Sequence, residues 1–187
     1  MALTLEIGDA NHRPQSRFFL AASKAMCGAL EESLPEMQRS IAEYRAVGNV
    51  WGVEYYLALF SSFLGKAGKF DDALHTIDES ISIITESGER LFEAEVLRLK
   101  GEILIAQDPS AFSHAEKLFR DAVDLSRVQH SKLGELRTTR SLARLLRDTD
   151  RRKEARATLA DIYNWFTEGF DTADLKDAKA LLDELNN

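Results

Sequence analysis

The sequence predicts an all-α fold built as a stack of antiparallel helix pairs, and three observations predict it. Strand signals are weak, because no run of alternating β-branched residues is bounded by tight-turn dipeptides. The densest β-branched cluster, Ile81, Ile83 and Ile84, continues a pattern from Leu74 and Ile77. Leu74, Ile77, Ile81 and Ile84 follow at spacings of three, four and three, which reads as one buried helical stripe. The second observation is a small–large–third pattern that returns along the chain: Ser33, Met37 and Ser40, then Ala73, Ile77 and Ser80, then Ala115, Phe119 and Ala122, then Ala155, Leu159 and Ile162. Its small residues recur at intervals of 40, 42 and 40, so about four units of forty residues follow. Third, 44% hydrophobic and 29% charged residues with 3 Pro and 10 Gly in 187 residues describe an ordered chain able to bury a core.

Each unit divides into two helices. The first helices are expected at 15–29, 50–66, 90–107 and 133–148, and the second at 31–47, 71–87, 113–129 and 152–166. The repeats then span about 15–48, 49–88, 89–130 and 131–168 of one helical-repeat domain covering 1–187, with an N-terminal stub at 1–14. Gly48, Gly88 and Gly169 stand just past second helices, where a left-handed residue closes the last turn. Pro35 is compatible with its helix only if that helix starts near Leu34. The last repeat has Asp148-Thr149-Asp150 where a glycine is expected between helices. A final helix over 171–186, capped by Asp171 or Thr172, puts Leu175, Ala178, Leu182 and Leu185 on one face and closes the stack.

A small residue facing a large one lets two helices approach and interlock. On these residues the chain resembles tetratricopeptide-like arrays over nearly its whole length, with units longer than the usual thirty-four or so residues. The resemblance implies a right-handed α-solenoid whose first helices line a concave groove. The later part is more specific. Glu93-Ala94-Glu95-Val96-Leu97-Arg98-Leu99-Lys100-Gly101-Glu102, then Glu135-Leu136-Arg137 with Ser141-Leu142-Ala143-Arg144-Leu145, then the stretch from Trp165 to Lys176, are similar to C-terminal repeats of large bacterial signalling proteins. There the repeats follow an adenylate/guanylate cyclase domain, or a regulatory domain, joined to an AAA-type ATPase module. That resemblance implies a fragment or stand-alone relative, with Leu3, Leu5 and Ile7 as the stub of a preceding helix.

The formal charge of −7, from 24 basic and 31 acidic residues, argues against nucleic acid or anionic lipid as the default partner. The single cysteine, Cys27, cannot form an internal disulfide and reads as a small core residue in a cytoplasmic chain. No signal peptide and no membrane span are expected. Catalytic, cofactor and metal sites are expected to be absent. Gly65-Lys66-Ala67-Gly68-Lys69 is followed by Phe70, which fails the phosphate-loop pattern, and His12, His75, His114 and His130 lack zinc spacing. Trp51, Tyr55, Tyr56, Phe60 and Phe63 on one first helix read as core packing, with an aromatic ligand wall as the alternative.

The most informative feature is Arg137, Arg140, Arg144, Arg147 and Arg151, spaced by three, four, three and four along one helix side. The segment 137–156 holds eight basic and three acidic residues, so it carries +5 and the remainder −12. Aligning the repeats places Arg137, Arg140, Arg144 and Arg147 on the groove, with Glu95, Arg98 and Glu102 in the unit before and Tyr55 in the one before that. Two readings stay open. One is an inter-repeat ladder in which Glu95 and Glu102 face Arg140 and Arg144. The other is an anion-binding wall that grips an acidic protein or peptide partner. The functions expected are a non-catalytic interaction or regulatory domain of a signalling protein or, alternatively, a small-ligand-sensing module that controls an attached ATPase or cyclase.

Overall fold

The computed structural model describes residues 2–48 and 51–186, with side chains from residue 13 onward. All nine elements among the described residues are helices: α1 (Ala2–Met26), α2 (Leu30–Ala46), α3 (Val53–Lys66), α4 (Phe70–Ser87), α5 (Glu93–Gln107), α6 (Phe112–Val128), α7 (Lys132–Asp148), α8 (Arg152–Tyr163) and α9 (Ala173–Asn186). They fall into two compact units, Met1–Glu89 and Arg90–Asn187.

In the first unit α1 pairs with α2 and α3 with α4, and α2 packs on α3. Ser33, Met37 and Ser40 on α2 and Ala73, Ile77 and Ser80 on α4 are all buried, so the repeating triplet is the seam of each pair. The α3–α4 seam also carries a polar tie, Ser80 Oγ donating to the Glu54 carbonyl at 2.8 Å, and Tyr44 Oη ties α2 to the entry of α3 by donating to the Trp51 carbonyl at 2.9 Å. The stripe on α4 is centred on Ala73, Ile77, Ser80 and Ile84, with Leu74 and Ile81 only half-buried at its edge.

Several expectations on this unit are corrected. α1 runs as one helix through the expected boundary at residue 14, with Pro14 inside it; the side chains of Leu3, Leu5, Ile7 and His12 lie outside the described residues, as does Val50. Cys27 is exposed rather than core, because α1 ends at Met26 and leaves it in the turn. α2 begins at Leu30, so Pro35 lies inside the helix. Pro35 and Glu31 are both exposed, so water can satisfy the Glu31 carbonyl that loses its i+4 donor. Trp51 stands before α3 and is 65% exposed, whereas Phe60 and Phe63 are core. Tyr56 joins them through rings, 5.1 Å from Phe18 and 5.3 Å from Tyr44.

In the second unit α5 pairs with α6 and α7 with α8; α6 packs on α7, and α9 packs on both α7 and α8. Contacts of α5 with α7 and of α7 with α9 place these three helices side by side in one layer. Ala115, Phe119 and Ala122 on α6 and Ala155, Leu159 and Ile162 on α8 are buried. Leu175, Ala178, Leu181, Leu182 and Leu185 close the same core from α9, as a capping helix requires. α8 stops at Tyr163, three residues short of the expected end. The close α5–α6 approach depends on Gly101, where an added Cβ would stand 2.5 Å from Phe119 Cε1.

The turns repeat one device. Gly48 and Gly88 adopt φ of 81° and 72°, the left-handed closure expected of them, whereas Gly169, also left-handed at φ 77°, lies in the loop six residues past the end of α8 and does not close it. Where the sequence lacks glycine, Asp150 takes the same region at φ 61°, and His130 does so after α6 at φ 54°.

Candidate functional site

The α5–α7–α9 layer of the second unit carries the arginine stripe and the acidic residues that answer it. Arg98 on α5 is 8% exposed, and each of its three guanidinium nitrogens is paired within its own helix. Its Nε and Nη2 donate to the two Glu95 carboxylate oxygens at 2.8 and 2.6 Å, and its Nη1 donates to Glu102 Oε1 at 2.6 Å. The i−3 and i+4 spacings put both carboxylates over one guanidinium. Burial pulls the Arg98 pKa down, but the bonds and charge of Glu95 and Glu102 more than offset this and hold it above the ordinary arginine value. Ser141 Oγ then donates to Glu102 Oε1 at 2.7 Å, tying α7 to this network.

On α7 the stripe turns toward the capping helix instead of α5. Arg137 Nη2 lies 2.7 Å from Asp174 Oδ2, Arg140 Nη1 lies 3.1 Å from Asp177 Oδ2, and Arg147 Nη1 lies 3.0 Å from Glu184. The sequence separation is 37 in all three, as for two parallel helices held in register. The expected ladder between Glu95 or Glu102 and Arg140 or Arg144 is therefore corrected: Glu95 and Glu102 are taken by Arg98, and the ladder partners are on α9. An acidic residue 37 positions beyond Arg137, Arg140 and Arg147 was the signal in the sequence that pointed there.

Two members of the stripe behave differently. Arg151 leaves the layer, bonding Glu116 at 2.7 Å and Glu154 at 2.8 Å on α6 and α8. Arg144 is exposed and makes no ion pair or hydrogen bond with a described residue. The position 37 beyond it is Leu181, which is buried in the core and offers no carboxylate. Arg140 is the most burdened: burial first, then the charge of Arg144, lowers its pKa from the ordinary value, and its Nε is buried without a partner.

The layer is thus not a bare cationic wall. Arg98, Arg137, Arg140 and Arg147 are matched by Glu95, Glu102, Asp148, Asp174, Asp177 and Glu184. Beside Arg144 lies a cleft of about 320 Å³ with Ile105, Ala106, Phe119 and Leu145 as apolar lining and Glu102, Ser141 and Arg147 at its polar edge. Tyr55 belongs to the other unit, where it is half-buried with its ring 6.4 Å from Tyr56.

Among the described residues no helix is long and apolar enough to cross a membrane, and no three His, Cys, Asp or Glu side chains form a metal-holding group. No protein-family model matches the chain, and no curated protein matches it. Solved structures do. The nearly identical TPR-like repeats of a Podosopora anserina kinesin-light-chain-type protein superpose with a TM-score of 0.69 at 13% identity, over 94% of this chain and 86% of that one. A single-substitution variant of it gives 0.72 at 12% identity, over 94% and 85%. At such identity the likeness speaks for fold alone, and with the helix pairs described above it shows the chain to be an all-α array of TPR-like repeats.

Proposed function

We propose that the chain is a non-catalytic interaction module that binds a segment of a protein partner on the α5–α7–α9 layer. One observation carries the reading: Arg144 is the uncommitted cation of the stripe, and it stands at the mouth of an apolar-lined cleft of about 320 Å³. An acidic side chain of the partner would pair with Arg144, and an adjacent apolar side chain would enter beside Ile105 and Leu145. Arg98, Arg137, Arg140 and Arg147 act as positioning residues, since each is already paired with carboxylates on α5 or α9. With carboxylates matching the arginines and a chain charge of −7, a phosphate backbone is a poor fit. A cytoplasmic signalling context, with cyclase or ATPase domains joined to the repeats, belongs to this reading on the strength of the sequence resemblance.

A titration with an acetylated Leu-Glu-Leu-Glu peptide tests it. Arg144→Glu is expected to weaken binding at least about tenfold and to leave the melting temperature within about a degree, because Arg144 is exposed and makes no ion pair or hydrogen bond with a described residue. Unchanged binding would overturn the reading. Arg140→Glu is the poorer test, since it also breaks the α9 ladder. The cleft volume also lies in the range that small ligands fill, so a small anionic ligand that regulates an attached module is the second reading. Saturable binding of a free dicarboxylate in preference to the peptide would select it.

A further inference from the structure

We propose that the cleft between α2 and α4 of the first unit is a docking site for an arginine-bearing segment of a partner protein. It is a separate site from the α5–α7–α9 layer and does not rest on that reading.

An offset of 82 residues carries Ser33 onto Ala115 and Ala73 onto Ala155, all four buried in the seams of their helix pairs. The same offset carries Leu34, Gln38, Lys69 and Asp72 onto Glu116, Arg120, Arg151 and Glu154. In the second unit those four residues form a closed ionic network. Arg120 lies 2.7 Å from Glu116 and 2.9 Å from Glu154, and Arg151 lies 2.7 Å from Glu116 and 2.8 Å from Glu154. Two guanidinium groups thus bridge one carboxylate on α6 and one on α8.

In the first unit the equivalent place is an open cleft of about 320 Å³. Its floor is apolar, with Leu34, Phe60 and Leu64 each at most 7% exposed. On its rim Asp72 occupies the position of Glu154, is exposed, and makes no ion pair or hydrogen bond with a described residue. Glu31 adds a second carboxylate from α2, held at one edge by Lys69 at 3.3 Å. The first unit lacks the cation at the position of Arg120, where it has Gln38, and the carboxylate at the position of Glu116, where it has Leu34. The second unit therefore supplies the template: a guanidinium laid across the two second helices and shared between carboxylates. In the first unit Asp72 keeps one carboxylate of that pair, Glu31 offers a second from one turn earlier on α2, and the bridging guanidinium has to come from outside. A partner arginine fits both surfaces, because its planar head pairs bidentately with carboxylates and its weakly hydrated stem can lie on an apolar floor.

Amide chemical-shift titration of the full chain with acetyl-Leu-Arg-Leu-amide tests the proposal. Shifts are expected to concentrate at Glu31, Asp72 and His75. Replacing the peptide arginine by citrulline, which keeps shape and removes charge, should weaken binding at least about tenfold. Asp72→Asn should do the same. Gln38→Arg should too, because it restores the internal cation of the second unit and fills the cleft. All three changes are at exposed positions or in the ligand, so the fold is preserved. Arg144→Glu should leave this titration unchanged, which separates the site from the α5–α7–α9 layer. No shifts at these residues up to the solubility limit, equal binding of the citrulline peptide, or full binding by Gln38→Arg would each overturn the proposal.

Discussion

Gly101→Ala adds one methyl group where α5 crosses the Phe119 ring. The new Cβ would stand 2.5, 2.9 and 3.0 Å from Cε1, Cζ and Cδ1 of Phe119, against 3.4 Å for ordinary contact. The ring would have to retreat by roughly 1 Å, and it is 1% exposed within the core of the second unit. Overpacking of this kind costs about 1–3 kcal/mol. Alanine recovers about 1 kcal/mol through its higher helix propensity, so the expected net loss is about 0–2 kcal/mol, centred on about 1 kcal/mol. In a unit of about a hundred residues the central value of about 1 kcal/mol lowers the melting temperature by roughly 4–8 °C, measured by circular dichroism at 222 nm. The double variant with Phe119→Leu supplies the check, because a smaller side chain opposite the new methyl should make the two changes less than additive. A Gly101→Ala chain that melts at or above the parent would refute the claim that this glycine exists to let the helices approach.

Two further outcomes follow from the electrostatics and the turns. Burial raises the Asp174 pKa, but Arg137, Arg140 and Arg98 lower it further and hold it below the usual carboxylate value; Glu116 and Glu135 are lowered in the same sense by their cations. A folded-state pKa below the unfolded one gives stability that is present above the ordinary carboxylate range and lost as pH falls through the folded value. The melting temperature should therefore hold from neutral pH to about 5 and fall below about pH 4.5, and Asp174→Asn should flatten part of that acid limb; an unaltered limb would remove Asp174 from the ladder. His130→Gly and Asp150→Gly relieve left-handed backbone at φ 54° and 61°, and each should raise stability by about 0.5–1 kcal/mol in chemical denaturation; a loss would show that the native side chains contribute more than the strain they cause.

The helix pairs were legible in the sequence because the forces that make them act within one turn or across one tight loop. A buried triplet such as Ala155, Leu159 and Ile162 repeats at helical spacing whatever the rest of the chain does, and glycines such as Gly48 and Gly88 mark left-handed closures locally. Pro35 and Cys27 were misplaced because both lie near helix starts and ends, where a shift of a few residues moves a side chain between core and solvent. The charged layer is the opposite case. Five arginines in a row left an inter-repeat ladder and an anion-binding wall both open, and a carboxylate 37 residues away counts only if α9 runs beside α7 in register, which is set by the packing of Leu175, Ala178, Leu181 and Leu185 in the core. Composition and spacing alone determined a stack of helix pairs with a basic stripe near its end. The tertiary structure decided that Arg137, Arg140 and Arg147 are answered by α9 and that Arg144 is left free, because the residue that would have answered it, Leu181, is held in the core.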